Sequence, residues 1–369
     1  MRSFEEHLHL TWYKNKQSLR NFDGLSGLSK FDDLIPPRFK GSIAFAERVW
    51  SIPTRITDNT IVVGCWDNAI HCINVKSLER EWILATEGPV YSSPAVLNDG
   101  RFVIGCEDHW LRMISPNGQC LWSFKAEDAF HSTPTVDEKT GIVFAGNYDH
   151  RMYAIDLNAG TLLWSRAYEK DIEDDIYSSP ALTDSGAIIF GTNNKLVCLD
   201  RDGHELWRNT AHGRFEGTAA LDHELGIGIV GTEVDGLIVV FEISSGQIFA
   251  QHKTNGFIVS SPSISRDSIA YVGSNDGYVY GVDLKTAALS WKSHIGCEFR
   301  YTPFTTLPSG NALFTGVDEK IHCLRGVDGH HLWALEIEGG FHSSPLITCG
   351  GDMVVGSHRK AMQVYQWAI

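Results

Sequence analysis

The chain has 369 residues, a formal net charge of -14 and a sequence pI near 5.5. An acidic chain without a Lys/Arg run repels phosphate backbones, so nucleic acid is not an expected partner, and no apolar run approaches the ~20 residues of a membrane helix. The N-terminus, Met1-Arg2-Ser3-Phe4-Glu5-Glu6-His7, carries no signal-peptide core, and none of the eight cysteines forms a Cys-x-x-Cys pair, so a cytoplasmic protein with reduced thiols is expected.

Residues 1–37 read as an extension ahead of the main domain, which takes residues 38–369. Ser3-Phe4-Glu5-Glu6 is a capping box, and Phe4, Leu8, Trp12, Leu19 and Phe22 follow at roughly helical spacing. A short amphipathic helix is therefore expected over about residues 4–22, stopped at Asp23-Gly24. It would pack on the domain, or serve as a docking or dimer element. Leu34-Ile35-Pro36-Pro37 reads as a linker, and Phe39 to Val49 as a strand.

From Ser51-Ile52-Pro53 onward one unit repeats. It opens with Ser-Ser/Thr-Pro, passes through Gly-x-x-Asp and closes with Gly-x-x-x-Trp. The opening prolines are Pro53, Pro94, Pro134, Pro180, Pro262, Pro303 and Pro345, with Ala219 in the fifth place. The closing residues are Trp82, Trp122, Trp164, Trp207, Trp291 and Trp333, with Phe249 filling the fifth; they stand 40, 42, 43, 42, 42 and 42 apart. A period near 42 with four short strands per unit is a propeller signature. The last repeat, from Ser343-Ser344-Pro345, holds only three strands, and the N-terminal strand supplies the fourth. The expected fold is thus all-β, an eight-bladed β-propeller closed by its N-terminal strand, in which the periodic Trp packs blade against blade. Cys72, Cys198 and Cys323 take a strand slot that Ala154 and Gly281 fill elsewhere, so they read as small buried side chains.

The segment Ala154-Ile155-Asp156-Leu157-Asn158-Ala159-Gly160-Thr161-Leu162-Leu163-Trp164 resembles the PQQ-like propeller repeat, Ala-x-Asp-x-x-x-Gly-x-x-x-Trp, and the resemblance runs from about residue 40 to the end. The style of the repeats is also similar to the cytosolic propeller of the β-alanine-activating enzyme. The family includes quinoprotein alcohol dehydrogenases, which implies a quinone cofactor. This chain lacks their adjacent Cys-Cys pair and their calcium-binding acidic motif, so no cofactor is expected. The outer-membrane-assembly lipoprotein of the same fold is exported and lipidated, and those features are not found here.

A repeat separates fold from function: positions constant across blades serve the fold, and positions that vary at one address are open to a site. Three residues before each opening Pro stand Trp50, Tyr91, His131, Tyr177, Glu216, Val259, Arg300 and His342, of which seven are aromatic or ionisable. They are expected to ring the mouth of the central channel, with Glu216 opposite Trp50. Two residues past the mid-unit Gly, Trp66, Glu107, Tyr148, Asn193, Val234, Asn275, Asp318 and His358 are counted as a second ring outside the first. Such a funnel suits a small polar or anionic metabolite. Arg300 would fork onto an anion, Tyr91, Trp50, Trp66, Glu107, Tyr148 and His358 would bind or stack, and His131 or His342 with Tyr177 or Glu216 would move protons. That would allow a cofactor-free acid/base step, such as a cyclisation, isomerisation or elimination in a biosynthetic pathway. The alternatives are a non-catalytic scaffold docking a protein partner on one face and, third, a quinone-dependent oxidoreductase. No metal is expected, because His131 and His342 lie three blades apart without a ligand-spaced companion. The acidic segment Tyr168 to Asp175, four residues longer than its counterparts, reads as a lid or as a solvated loop.

Overall fold

The computed structural model describes residues 33–168, 176–192, 194–209, 213–299, 301, 303–339, 343–348 and 350–367. The helix expected over residues 4–22, the segment 169–175, and both Arg300 and His342 lie outside the described residues. Thirty-two strands form eight antiparallel four-stranded sheets, and there is no helix among the described residues. Seven blades are sequential along the chain, from the first, whose strands run from Thr54–Arg55 to Glu79–Ala85, to the seventh, from Thr305–Thr306 to His331–Glu336. The eighth combines Leu346–Ile347, Asp352–Ser357 and Ala361–Gln366 with the N-terminal strand Arg38–Ala44, which pairs Ile43 with Met362 and Gly41 with Val364. The ring is therefore closed by hydrogen bonds between its two chain ends, as the three-stranded last repeat requires.

The two middle strands of each blade are buried on both faces, as in Thr60–Cys65 and Ala69–Asn74, and the core lies between blades. The innermost strands are two or three residues long, and the opening turns around them are joined blade to blade by side-chain hydroxyls. The Ile52 N–H donates to Ser93 Oγ, Ser93 N–H to Thr133 Oγ1, Thr133 N–H to Ser179 Oγ, Ser179 N–H to Thr218 Oγ1, and Thr218 N–H to Ser261 Oγ, at 2.9 to 3.3 Å. In these five blades the small residue before the opening position is thus a hydrogen-bonded link around the axis, not only a concession to crowding.

The closing tryptophans do what their period suggests. The indole N–H of Trp122 donates to Leu157 O of the next blade at 2.9 Å, and a Cβ on Gly160 would lie 2.7 Å from its ring. Gly160 sits at φ +68°, so its lack of a side chain answers both the backbone and the indole above it. In all seven sequential blades a bulge shifts the register just below the closing residue, as between Ala154 and Ile155. That bulge corrects one assignment. Phe249 is the bulged residue of the fifth blade and is 48% exposed, whereas Ala250, paired with Val240, holds the Trp position. The cysteine slot is confirmed by pairing: Cys72, Cys198 and Cys323 lie opposite Trp82, Trp207 and Trp333, and the described cysteines are all free thiols.

Candidate functional site

In the first six blades the residue three before the opening position stands where the chain enters its innermost strand, at one end of the channel. Trp50, Tyr91, His131, Tyr177, Glu216 and Val259 all line one cavity of about 390 Å³, so the six described members of the expected first ring share a single space. The hydroxyls of Ser93, Thr133, Ser179, Thr218 and Ser261 form its floor.

Around the wall runs an unbroken series of ring contacts. Trp50 packs against Tyr91 at 5.5 Å between centroids, Tyr91 against His131 at 4.5 Å, and His131 against Tyr177 at 6.0 Å. The second ring stands behind this wall and props it. Trp66 packs on Trp50 and Tyr91, His358 stacks on Trp50 at 5.2 Å, and Tyr148 stacks on His131 at 5.3 Å and touches Tyr177. Trp66, Tyr148 and His358 therefore prop the wall from behind, and neither they nor Glu107 line the cavity itself.

The turn hydrogen bonds also correct the second ring. Trp66, Glu107, Tyr148 and Asn275 each donate their N–H to the carbonyl of the residue five before their own blade's opening Pro, and in the fifth blade the residue making that bond is Glu233, to Arg214 O at 2.8 Å. Val234 is an extra residue in that turn and is 73% exposed. In the seventh blade Thr315, not Gly316, pairs where the other blades carry their Gly, so Val317 takes the ring address. Asp318 instead binds His322, as Asp67 binds His71 in the first blade.

Burial sets the electrostatics. His131, walled by tyrosines, is pushed down to about 4 by desolvation, so its imidazole is neutral near pH 7. This works against the proton-shuttling role expected of it. His358 is lowered as well, by burial and then by the nearby Arg48. Among the described residues Glu216 is partnered by no histidine. It lies 3.3 Å from the Arg214 guanidinium, which also faces Glu233 at 3.6 Å and sits 4.8 Å over the Tyr177 ring. Burial raises the Glu216 carboxyl, Glu233 adds to this and Arg214 opposes it, while the Tyr301 hydroxyl hydrogen-bonds the same carboxylate. Glu107 is raised to about 7, by burial first and then by Asp128 and Asp108.

Arg214, Glu233 and Tyr301 were not singled out in the sequence. Tyr301 had a signal: it stands two before Pro303, where six other blades carry Ser51, Ser92, Ser132, Ser178, Ser260 and Ser343. In three of those blades the serine hydroxyl donates to a strand carbonyl, as from Ser132 to Gly146 O at 3.0 Å. Gly217 is the other exception, in the blade that holds Glu216.

Two groups with a buried Cys and His have metal-ligand chemistry, Cys65 with Asp67 and His71, and Cys297 with Asp318 and His322. Their Asp–His pairs occupy the address where Arg112 binds Asp108 and where Tyr153 and Tyr280 bind Asp149 and Asp276. Strand-to-turn pinning explains all five, so these pairs are fixtures of the repeat.

The chain is similar in fold to the crystal structure of BamB from Moraxella catarrhalis, at 14% identity and a TM-score of 0.74, covering 90% of this chain and 100% of that one. It is equally similar to the computationally designed Ika8 protein, at 17% identity and a TM-score of 0.74 with the same coverage. None of the curated proteins matches it. The family described as outer membrane protein assembly factor BamB matches residues 42–171 and 169–304, more than half of the sequence, and with its eight four-stranded blades the chain belongs to this PQQ-like propeller family.

Proposed function

We propose that this propeller is a binding protein that takes a small planar polar molecule into the upper funnel. The observation that carries the reading is the continuous aromatic wall from Trp50 through Tyr91 and His131 to Tyr177, which lines one side of a cavity of about 390 Å³. That volume suits a metabolite, and flat walls propped from behind by Trp66, Tyr148 and His358 favour a flat guest. The reading is of binding more than turnover. A general acid or base works best with a pKa near the operating pH. His131 titrates far below neutrality, and Glu107, at about 7, is not on the cavity wall. A cytoplasmic setting, the absence of a quinone and a finer likeness to the propeller of the β-alanine-activating enzyme belong to the same proposal.

A second reading, a docking face for another protein, draws support from the family match and from one surface feature. Val234 (73% exposed), Phe257 (44%) and Val317 (38%) belong to upper-face turns of three successive blades, the fifth to the seventh. One experiment separates the two. In a thermal-shift screen against a metabolite library, a ligand at a hundred times its Kd stabilises the native state by about 2.7 kcal/mol. Compounds should raise the melting temperature of the wild type and fail to do so with Trp50→Ala and His131→Ala variants that remain folded. If those variants respond as the wild type does, the funnel reading is wrong and the rim of the fifth to seventh blades becomes the place to look.

A further inference from the structure

Among the described residues, the cavity wall carries one formally charged side chain, and it is Glu216. The other polar groups of that wall are hydroxyls, phenols and the neutral imidazole of His131. Behind Glu216, the Arg214 guanidinium is shared with Glu233, so two carboxylates face one cation there among the described residues. The Glu216 side chain is only 5% exposed, and its Oε2 has no hydrogen-bond partner among the described residues. A buried carboxylate oxygen without a donor is costly, and a ligand N–H that reaches it removes the cost.

The surroundings of Glu216 depart from the repeat in concert. Gly217 replaces the usual serine, and a Cβ there would lie 2.9 Å from Ser260 O, so the fifth blade enters against the sixth more closely than a serine permits. Ala219 replaces the opening proline. Tyr301, in the seventh blade, replaces another serine and adopts φ +55°, a left-handed backbone that a tyrosine rarely holds without compensation. It hydrogen-bonds Glu216 past the sixth blade, whose ring member is the short Val259. Serine in this position serves the fold, so its loss in two blades that converge on one carboxylate marks a built site.

We infer that the funnel selects a planar cation, an aromatic or conjugated amine, amidine or guanidine, whose N–H groups meet Glu216 while its ring lies against the aromatic wall. This rests on the binding reading above and names its ligand class. It differs in charge from the anionic ligand expected from Arg300, which lies outside the described residues, and it follows from a wall of electron-rich π surface with one carboxylate among the described residues, a combination that attracts cations.

Benzamidine, benzamide and benzoate share a ring and differ in charge, so they separate the contributions. Titration calorimetry and melting curves on the full chain should show benzamidine binding at least about tenfold more tightly than benzoate. The near-isosteric Glu216→Gln variant should lose about that factor for benzamidine and leave benzamide unchanged. Benzoate binding as well as benzamidine, or benzamidine indifferent to Glu216→Gln, overturns the inference. The wild-type ratio decides the matter even if the variant unfolds. If benzamide and benzoate bind and Trp50→Ala abolishes both, without a preference for benzamidine, the cation is wrong and the aromatic site stands. If none of the three binds at millimolar concentration, both readings fall.

Discussion

Glu107 shows how a residue placed for packing acquires chemistry. Its Oε1 is buried without a hydrogen-bond partner among the described residues, and burial with Asp128 and Asp108 nearby raises its pKa from 4.5 to about 7. A carboxyl whose folded value lies above its unfolded value binds its proton more tightly in the native state. Its contribution to stability is therefore complete below about 4.5 and is lost as the pH rises through about 7. Glu107→Gln, which is never charged, should melt above the wild type at pH 8 by the equivalent of roughly 1–2 kcal/mol, a figure reduced for partial exposure. The two curves should converge near pH 5. A constant difference across that range would mean that Glu107 is paired in a way that holds its charge. His131 is shifted in the opposite sense by the same cause, and the contrast illustrates the common rule that desolvation favours whichever form is neutral.

The strand and its turn are the scale at which the sequence was most legible and also where counting failed. Gly-x-x-x-Trp located the outer strand of four blades, those closing at Trp122, Trp164, Trp207 and Trp333, because the indole of the blade before needs a glycine beneath it, as Trp122 needs Gly160. Register is less visible, since it is fixed by a partner strand that counting along the chain cannot see. In the fifth blade the spacing alone points to Ala250, four past Gly246, and to Glu233, two past Gly231, but residue type pointed to Phe249 and Val234 instead, and the pairing of Ala250 with Val240 and the Glu233 N–H bond to Arg214 O settle both addresses. The Arg214–Glu216–Tyr301 cluster was hidden because it joins the fifth and seventh blades through space. The correct register reveals a natural control. Where the fifth blade has Ala250 for Trp, the sixth has Ala287, at φ +54°, in the corresponding turn, and both pack into one cluster. Trp and Gly are thus exchanged together for Ala and Ala. The same exchange at Trp122 and Gly160 should be non-additive. Gly160→Ala alone should cost more than about 1 kcal/mol through its clash and positive φ, and Trp122→Ala about 3 kcal/mol through the cavity. The double variant should lose less than their sum by about 1 kcal/mol, read from denaturant midpoints. Strict additivity would show that the indole and the glycine are not coupled.

At the scale of the whole ring, closure connects stability to the funnel. Every blade buries its inner strands only against its neighbours, so the array depends on the eighth blade receiving its outer strand from Arg38–Ala44. That blade also meets the first by a reversed version of the indole contact: a Cβ on Gly41 would lie 2.4 Å from the Leu78 side chain, which fills the space from the opposite side. Nearby, Asp33 O accepts from the Trp333 indole at 2.8 Å and Ile35 O from Trp367 at 2.9 Å, so residues 33–35 stand where the missing turn of the eighth blade would be. Trp50 and Trp66 belong to the first blade, and Trp50 stacks on His358 of the eighth, so the aromatic wall crosses this seam. Opening the seam should disturb the funnel before it unfolds the distant blades, because contacts between blades are local. A Gly41→Trp variant tests this, since an indole at that point must displace Leu78 or the strand. Hydrogen exchange should accelerate in Ala361–Gln366 and around Trp50, while the middle strands of the fourth and fifth blades retain their protection. Any ligand of the funnel should restore protection at the seam by mass action. Uniform acceleration around the whole ring would instead mean that the eight blades unfold as one cooperative unit, and that the site draws its rigidity from all of them equally.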